Sequence, residues 1–209
     1  AIDMGAKYIQ ADPQYQYIMV IGAYGMSRFL NMQDKKTVTL FADGASGVLL
    51  GADPNGIGHL QGLLHTEGQY ADWMGIYAGG VKTPASNAVL ENKDQLLKFV
   101  KKFPKELNPM IWEKMVRKVV GDSGHEVNQV KQIFFTQINI NSIKATMDAL
   151  GLEMDKAQTV MSRYGYTGSA CIPMAMHEAQ EQGKLERGDL IVFMGSGGGL
   201  AFASSAWIW

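Results

Sequence analysis

Apolar positions along the chain follow two rhythms. From Ala1 to Gln10, Ile2, Ala6 and Ile9 recur at helical spacing, so a helix is under way at the first residue. No capping residue precedes it, which leaves two readings: Ala1 exposed by removal of a methionine, or a chain cut from something longer inside a helix. Gln16 to Gly22 is an unbroken apolar run with β-branched residues, the pattern of a strand buried on both faces. Thr37 to Ala42 repeats that pattern. Asp43-Gly44 is a turn dipeptide, and Ser46 to Ala52 is expected to return beside it as a hairpin. Gly56 to His65 suggests a further strand. Residues 66 to 92, rich in Gly, Asn, Thr, Ser and Pro, read as a long loop segment.

In the second half, Asn92 to Val120 carries lysines, leucines and aromatics at helical spacing, cut by Pro104 and Pro109. Gln132 to Phe135 is a short buried strand, and Ile140 to Leu150 an amphipathic helix ended by Gly151. Thr159 to Met161 reads as a short strand. Ser169 is placed to cap a helix that runs to Gln182 and stops at Gly183. Asp189 to Met194 and Leu200 to Trp209 are the last two strands. Strands alternating with helices, several of them apolar throughout, predict an α/β fold in layers, with helices on both faces of a mixed five-stranded sheet.

Composition changes this picture in a few places. A net charge of −1, with 19% charged and 46% hydrophobic residues, is that of an ordinary globular domain and offers nucleic acid no electrostatic purchase. No apolar run reaches the ~18 residues of a membrane helix, so no membrane partner is expected. The single cysteine, Cys171, excludes an internal disulfide and fits a cytoplasmic location. Set at the start of an apolar helix, it reads as a buried structural thiol rather than a nucleophile. His59, His125 and His177 share no metal-ligand spacing, and no cofactor is expected. His65, in a glycine-rich loop, reads as a bracing residue. Lys98, Lys101, Lys102, Lys105, Lys114, Arg117, Lys118 and Lys131 make the middle basic, either as a solvated face or as a docking surface for an acidic partner.

The closing segment carries the most information. Gly183-Lys184-Leu185, Arg187-Gly188-Asp189-Leu190 and Gly195-Ser196-Gly197-Gly198-Gly199-Leu200 resemble, in order and spacing, the ending of 3-oxoacyl-(acyl carrier protein) synthase III chains. Phe41 to Gly47 resembles that family's F-G-D-G-A-G-A hairpin, and Leu64 to Tyr70 its L-H-x-D-G-x-Y loop. Thr136-Gln137-Ile138-Asn139 sits where the family has H-Q-A-N. Tyr164 to Thr167, followed by Ile172-Pro173, sits where it has x-G-N-T and I/V-P.

The resemblance implies a thiolase-like fold, with residues 1–92 ending an N-terminal half and 93–209 forming the C-terminal half. It also implies the chemistry of an acyltransferase: a cysteine takes an acyl group from acyl-CoA, and a histidine and an asparagine hold a malonyl carbonyl during decarboxylative condensation. By register that cysteine lies upstream of Ala1, so a complementary N-terminal half or second chain, and a homo- or hetero-oligomer, are expected. The family's histidine and asparagine positions hold Thr136 and Tyr166, and the arginine expected after H-Q-A-N is Asn141. Losing a donor of that kind costs about 10²–10³ in rate. The resemblance therefore leaves two functions open. One is an acyl-condensing or acyl-transferring subunit, with Tyr166, Asn139 and the backbone of Gly197, Gly198 and Gly199 against the substrate. The other is a non-catalytic subunit that completes the fold of an active partner.

Overall fold

The computed structural model describes every residue of the chain except Gly56. The expected strand from Gly56 to His65 therefore falls partly outside the described residues. It is observed as His59–Thr66, called β3 below. In chain order, α1 is Ile2–Ala11, β1 Tyr17–Tyr24, α2 Lys35–Val38 and β2 Gly44–Gly51. After β3 come β4 Met74–Gly75, α3 Asn87–Glu91, β5 Lys98–Phe99 and α4 Leu107–Asp122. The chain continues through β6 Gln132–Phe135, α5 Ile140–Leu150, α6 Met161–Tyr164, α7 Cys171–Glu181, β7 Leu190–Gly197 and β8 Ala201–Ile208.

The apolar runs of the second half assemble first. β6 is buried throughout, β7 along its first five residues and β8 through its middle, and with β3 they form a sheet of order β3-β8-β7-β6. β6 and β7 are parallel, whereas the β7–β8 and β3–β8 pairs are antiparallel. The sheet is mixed as expected but has four strands rather than five. β3 lies within residues 1–92 yet hydrogen-bonds in this second-half sheet. One face of the sheet packs on α4 and α5 around Trp112, Phe135, Met147 and Met194. The other packs on α7 through Phe134, Ile191 and Phe193, with Ile2 and Val48 joining from α1 and β2. α5 ends where its glycine stop implied, with Gly151 left-handed at φ 73°.

Elsewhere several sequence expectations fail for identifiable reasons. Thr37–Ala42 is no strand: Asp34 caps the short α2 by accepting from Lys36 N, and Phe41 turns into a third, smaller core with Leu30 and Leu97. β2 consequently pairs with β1, antiparallel, from Tyr17↔Gly51 to Tyr24↔Gly44. β1 is not buried on both faces. Tyr17, Met19 and Ile21 are 74%, 64% and 65% exposed, and Leu49 of β2 is 61% exposed. The outer face of this two-stranded ribbon is an apolar surface that nothing among the described residues covers. Residues 92–106 are largely irregular, and the helix waits until Leu107, so that Pro109 falls in its first turn, where a missing N–H costs nothing. Thr159–Met161 contributes only the start of α6. Ser169 does not cap α7; its hydroxyl donates to Ala23 O at 3.3 Å, and a 3-10 turn at Gly168–Ala170 leads into the helix.

α1 is tied to β3 by Asp3, whose carboxylate meets His59 Nε2 and Lys7 Nζ, each at 2.8 Å. Burial alone would raise its pKa, but the hydrogen bonds from Lys7 and His59 outweigh it and hold the carboxyl below its ordinary value. A depressed carboxyl contributes stability at neutral pH that disappears as pH falls through its folded pKa. Asp3→Asn should therefore lower the urea midpoint at pH 7 and leave it nearly unchanged only at a pH below the folded pKa, itself under the ordinary value of about 3.9. An equal loss at both pH values would show that the charge is not what matters.

Candidate active site at the ends of β6 and β7

Parallel pairing brings the C-terminal ends of β6 and β7 together, and the residues that follow each strand meet there. Thr136 is 3% exposed and its hydroxyl is already engaged. Oγ1 accepts from Ser196 N at 2.7 Å and donates to Ser196 O at 3.3 Å, while Thr136 N donates to Met194 O at 3.0 Å. This side chain clamps β6 to the glycine-rich turn, and nothing of it is left to hold a substrate.

Gln137, buried beside it, ties three segments together. Its amide nitrogen donates to Phe135 O and Gln158 O at 3.0 and 3.2 Å, and its oxygen accepts from Val160 N at 2.9 Å. Its backbone N–H points at Cys171 Sγ, 3.4 Å away. Burial pushes the Cys171 thiol up to about 11, against the lowering effect of the Gln137, Ile172 and Cys171 backbone N–H groups. A buried, neutral thiol is inert, in line with its structural reading.

Tyr166 is held by backbone on both sides: Tyr166 N donates to Leu40 O at 3.1 Å, and Tyr166 O accepts from Ala42 N at 2.9 Å. Gly165, at φ 68°, makes the approach possible, since a Cβ there would lie 3.0 Å from Ala42 Cβ. The Tyr166 ring lies 5.5 Å from Phe41 and 6.1 Å from Tyr24, centroid to centroid. Burial, with Cys171 and Tyr24 nearby, pushes its phenol far above the usual value, and burial likewise pushes Tyr24 up to about 12. Both phenols stay protonated at neutral pH, so each keeps an O–H to donate.

Thr136 thus meets the glycine-rich turn through Ser196, its neighbour Gln137 reaches Cys171, and Tyr166 lies near the same thiol. Asn139 stands apart. It is exposed and caps α5, its Oδ1 accepting from Asn141 N at 2.9 Å. Asn139→Ala should cost about 1 kcal/mol of stability, measured by chemical unfolding. Gly197 and Gly198 face open space, with nothing within 4 Å of a Cβ built on either. Gly199 is different: at φ 138° it needs to be glycine for its own backbone. His65 braces its loop by meeting Glu67 Oε1 at 2.7 Å, while Glu67 pairs backbone to backbone with Leu200 beside the turn. Among the described residues no group of acids, histidines and cysteine could hold a metal ion. Sequence reasoning missed Tyr24 and Gln137; only the position of Gln137 inside the H-Q-A-N-like segment hinted at either.

Residues 1–68 match the model of the family 3-oxoacyl-[acyl-carrier-protein (ACP)] synthase III, and residues 120–209 match the model of its C-terminal region. The chain belongs to the 3-oxoacyl-[acyl-carrier-protein] synthase III family. It is 33% identical, along its whole length, to the beta-ketoacyl-[acyl-carrier-protein] synthase III of Clostridium acetobutylicum, of which it covers 63%. With the protein of the same name from Fusobacterium nucleatum the identity is 31%, over 93% of this chain and 60% of that one. The crystal structure of the 3-oxoacyl-[acyl-carrier-protein] synthase III of Aquifex aeolicus superposes with a TM-score of 0.84 at 26% identity, covering all of this chain and 63% of that one. The thiolase-like α/β fold expected from the closing motifs is therefore the fold of this chain. The chain spans only 60–63% of the relatives named here.

Proposed function

We propose that this chain is the C-terminal part of a 3-oxoacyl-ACP-synthase-III-type acyltransferase of fatty-acid or polyketide-type biosynthesis, acting on acyl-CoA. Its nucleophilic cysteine lies outside these 209 residues, on a complementary N-terminal half or a second chain. The acyl group moves from coenzyme A to that cysteine. The malonyl partner, carrier-bound or small, then breaks its bond to the carboxylate and releases carbon dioxide. The electron pair becomes an enolate that attacks the acyl thioester, and the cysteine thiolate leaves.

One observation carries this reading. Segments distant in sequence, each resembling a family site motif, are linked to one another: Thr136 holds Ser196 of the glycine-rich segment, its neighbour Gln137 reaches Cys171, and Tyr166 lies near the same thiol. The bare apolar face of Tyr17, Met19, Ile21 and Leu49 supports the complementary segment, since apolar surface of this kind marks an interface. No cofactor beyond the acyl-CoA substrate belongs to this reading. The partners are an acyl carrier protein and a further copy or subunit. No helix among the described residues is long and apolar enough to cross a membrane; a cytoplasmic setting is part of the proposal.

A second reading is favoured by the engaged Thr136 hydroxyl and by the packing of Tyr166 against Phe41: a non-catalytic subunit that completes an active partner. Denaturing intact-mass spectrometry of the protein from its source, after incubation with acyl-CoA thioesters, separates the two. An acyl adduct on a longer or co-purifying chain is the expected result. An unmodified 22.9 kDa chain with no acylated partner would leave the non-catalytic reading standing.

A further inference from the structure

Tyr24 belongs to none of the motifs that carry the resemblance, yet its ring is held by a close backbone contact. It ends β1, and the backbone of Gly168 lies flat against its ring; a Cβ on Gly168 would fall 2.3 Å from Tyr24 Cδ2. Gly168 is also left-handed, at φ 51°, so only glycine suits both the ring and the backbone. One residue before Tyr24, Ala23 O accepts from the Ser169 hydroxyl. The ring is tilted 49° to that of Tyr166, with centroids 6.1 Å apart.

Neither phenol hydroxyl donates to any partner among the described residues, and neither is among the buried polar atoms left without one. Each is therefore open to an incoming group. A phenol with no partner in a half-buried site gains nothing over phenylalanine unless something binds it. Two phenols fixed side by side, kept neutral by burial, are suited to an oxygen that gains negative charge.

Resting on the function proposed above, we infer that the Tyr24 and Tyr166 hydroxyls together hold the carbonyl oxygen of an enolisable acyl thioester, with Tyr24 supplying the donor that position 136 lacks. The phenols form no covalent bond. They stabilise the enolate oxygen, while the electron pair comes from the bond that breaks: a C–H bond whose proton passes to solvent water, or a C–carboxylate bond whose carboxylate leaves as carbon dioxide.

The test uses the complete protein from its source organism, with acetoacetyl-CoA as the probe. Its enolate is followed by near-ultraviolet absorbance at one pH, and its binding is measured independently by equilibrium dialysis. The expected result is an enolate-to-keto ratio raised on binding, lowered about tenfold by Tyr24→Phe and again by Tyr166→Phe, with binding little changed. Each substitution keeps the ring, so a thermal melt close to that of the unsubstituted protein should confirm folding. An enolate ratio unmoved by Tyr24→Phe overturns the inference while leaving acyl-thioester binding intact. Absence of any acetoacetyl-CoA binding overturns both the inference and the function on which it rests.

Discussion

Gly22→Ala is expected to lower the unfolding free energy by about 3 kcal/mol, whereas Gly25→Ala, three residues on, should cost less than about 0.5 kcal/mol. A Cβ on Gly22 would stand 2.2 Å from Ser169 O and 2.6 Å from Ser169 C. Those obstacles are backbone, so no rotamer change relieves them. Either β1 must lift or the turn leading into α7 must shift, and both carry site residues: Tyr24 on one side, Cys171 on the other. The cost belongs at the upper end of the overpacking range for that reason. Gly25, by contrast, has nothing within 4 Å and serves as the control for an added methyl group in the same segment. Urea titration of both variants checks the prediction. Equal midpoints would mean that the β1–α7 junction yields freely, and the fixed placement of Tyr24 argued above would then have no mechanical basis.

This junction also shows where sequence reasoning stops. The glycine-rich closing segment, the strand Gln132–Phe135 and the helix ending at Gly151 were legible because local pattern and turn chemistry agree with the fold there. The same rules placed Thr37–Ala42 in a strand, since an apolar run of that length fits a strand or a buried turn equally well. What decides between them is the third core, where Phe41 meets Leu97 and Tyr166 from far along the chain. Ser169 had the chemistry of a helix cap, but Ala23 O, a long-range partner, claimed its hydroxyl. β1 reads as doubly buried because its residues are suited to burial, yet the described residues cover only one face. The motifs singled out Thr136 and Tyr166. They could not show that the Thr136 hydroxyl is bonded to Ser196, nor that Tyr24 stands beside Tyr166, because both depend on strand register rather than on neighbours in sequence.

That contrast between Thr136 and Tyr166 yields the sharpest functional expectation. On the function proposed above, Tyr166→Phe in the complete protein should lower kcat for condensation by about 10²–10³, the usual cost of one oxyanion donor, while acylation of the proposed nucleophilic cysteine by acyl-CoA proceeds unchanged. The ring stays in place against Phe41 and Tyr24, so stability should hardly move. Thr136→Val should do the reverse. Its hydroxyl serves Ser196 N and O, so its loss strands a backbone donor and costs about 1–2 kcal/mol of stability, with kcat close to that of the unsubstituted enzyme. Single-turnover measurement of the two half-reactions, alongside urea unfolding, separates these outcomes. A Tyr166→Phe enzyme that condenses at full rate would remove this residue from the chemistry. A Thr136→Val enzyme that folds normally but no longer condenses would place the active donor at the family's histidine position after all, reached by a Thr136 hydroxyl that lets go of Ser196 when substrate enters.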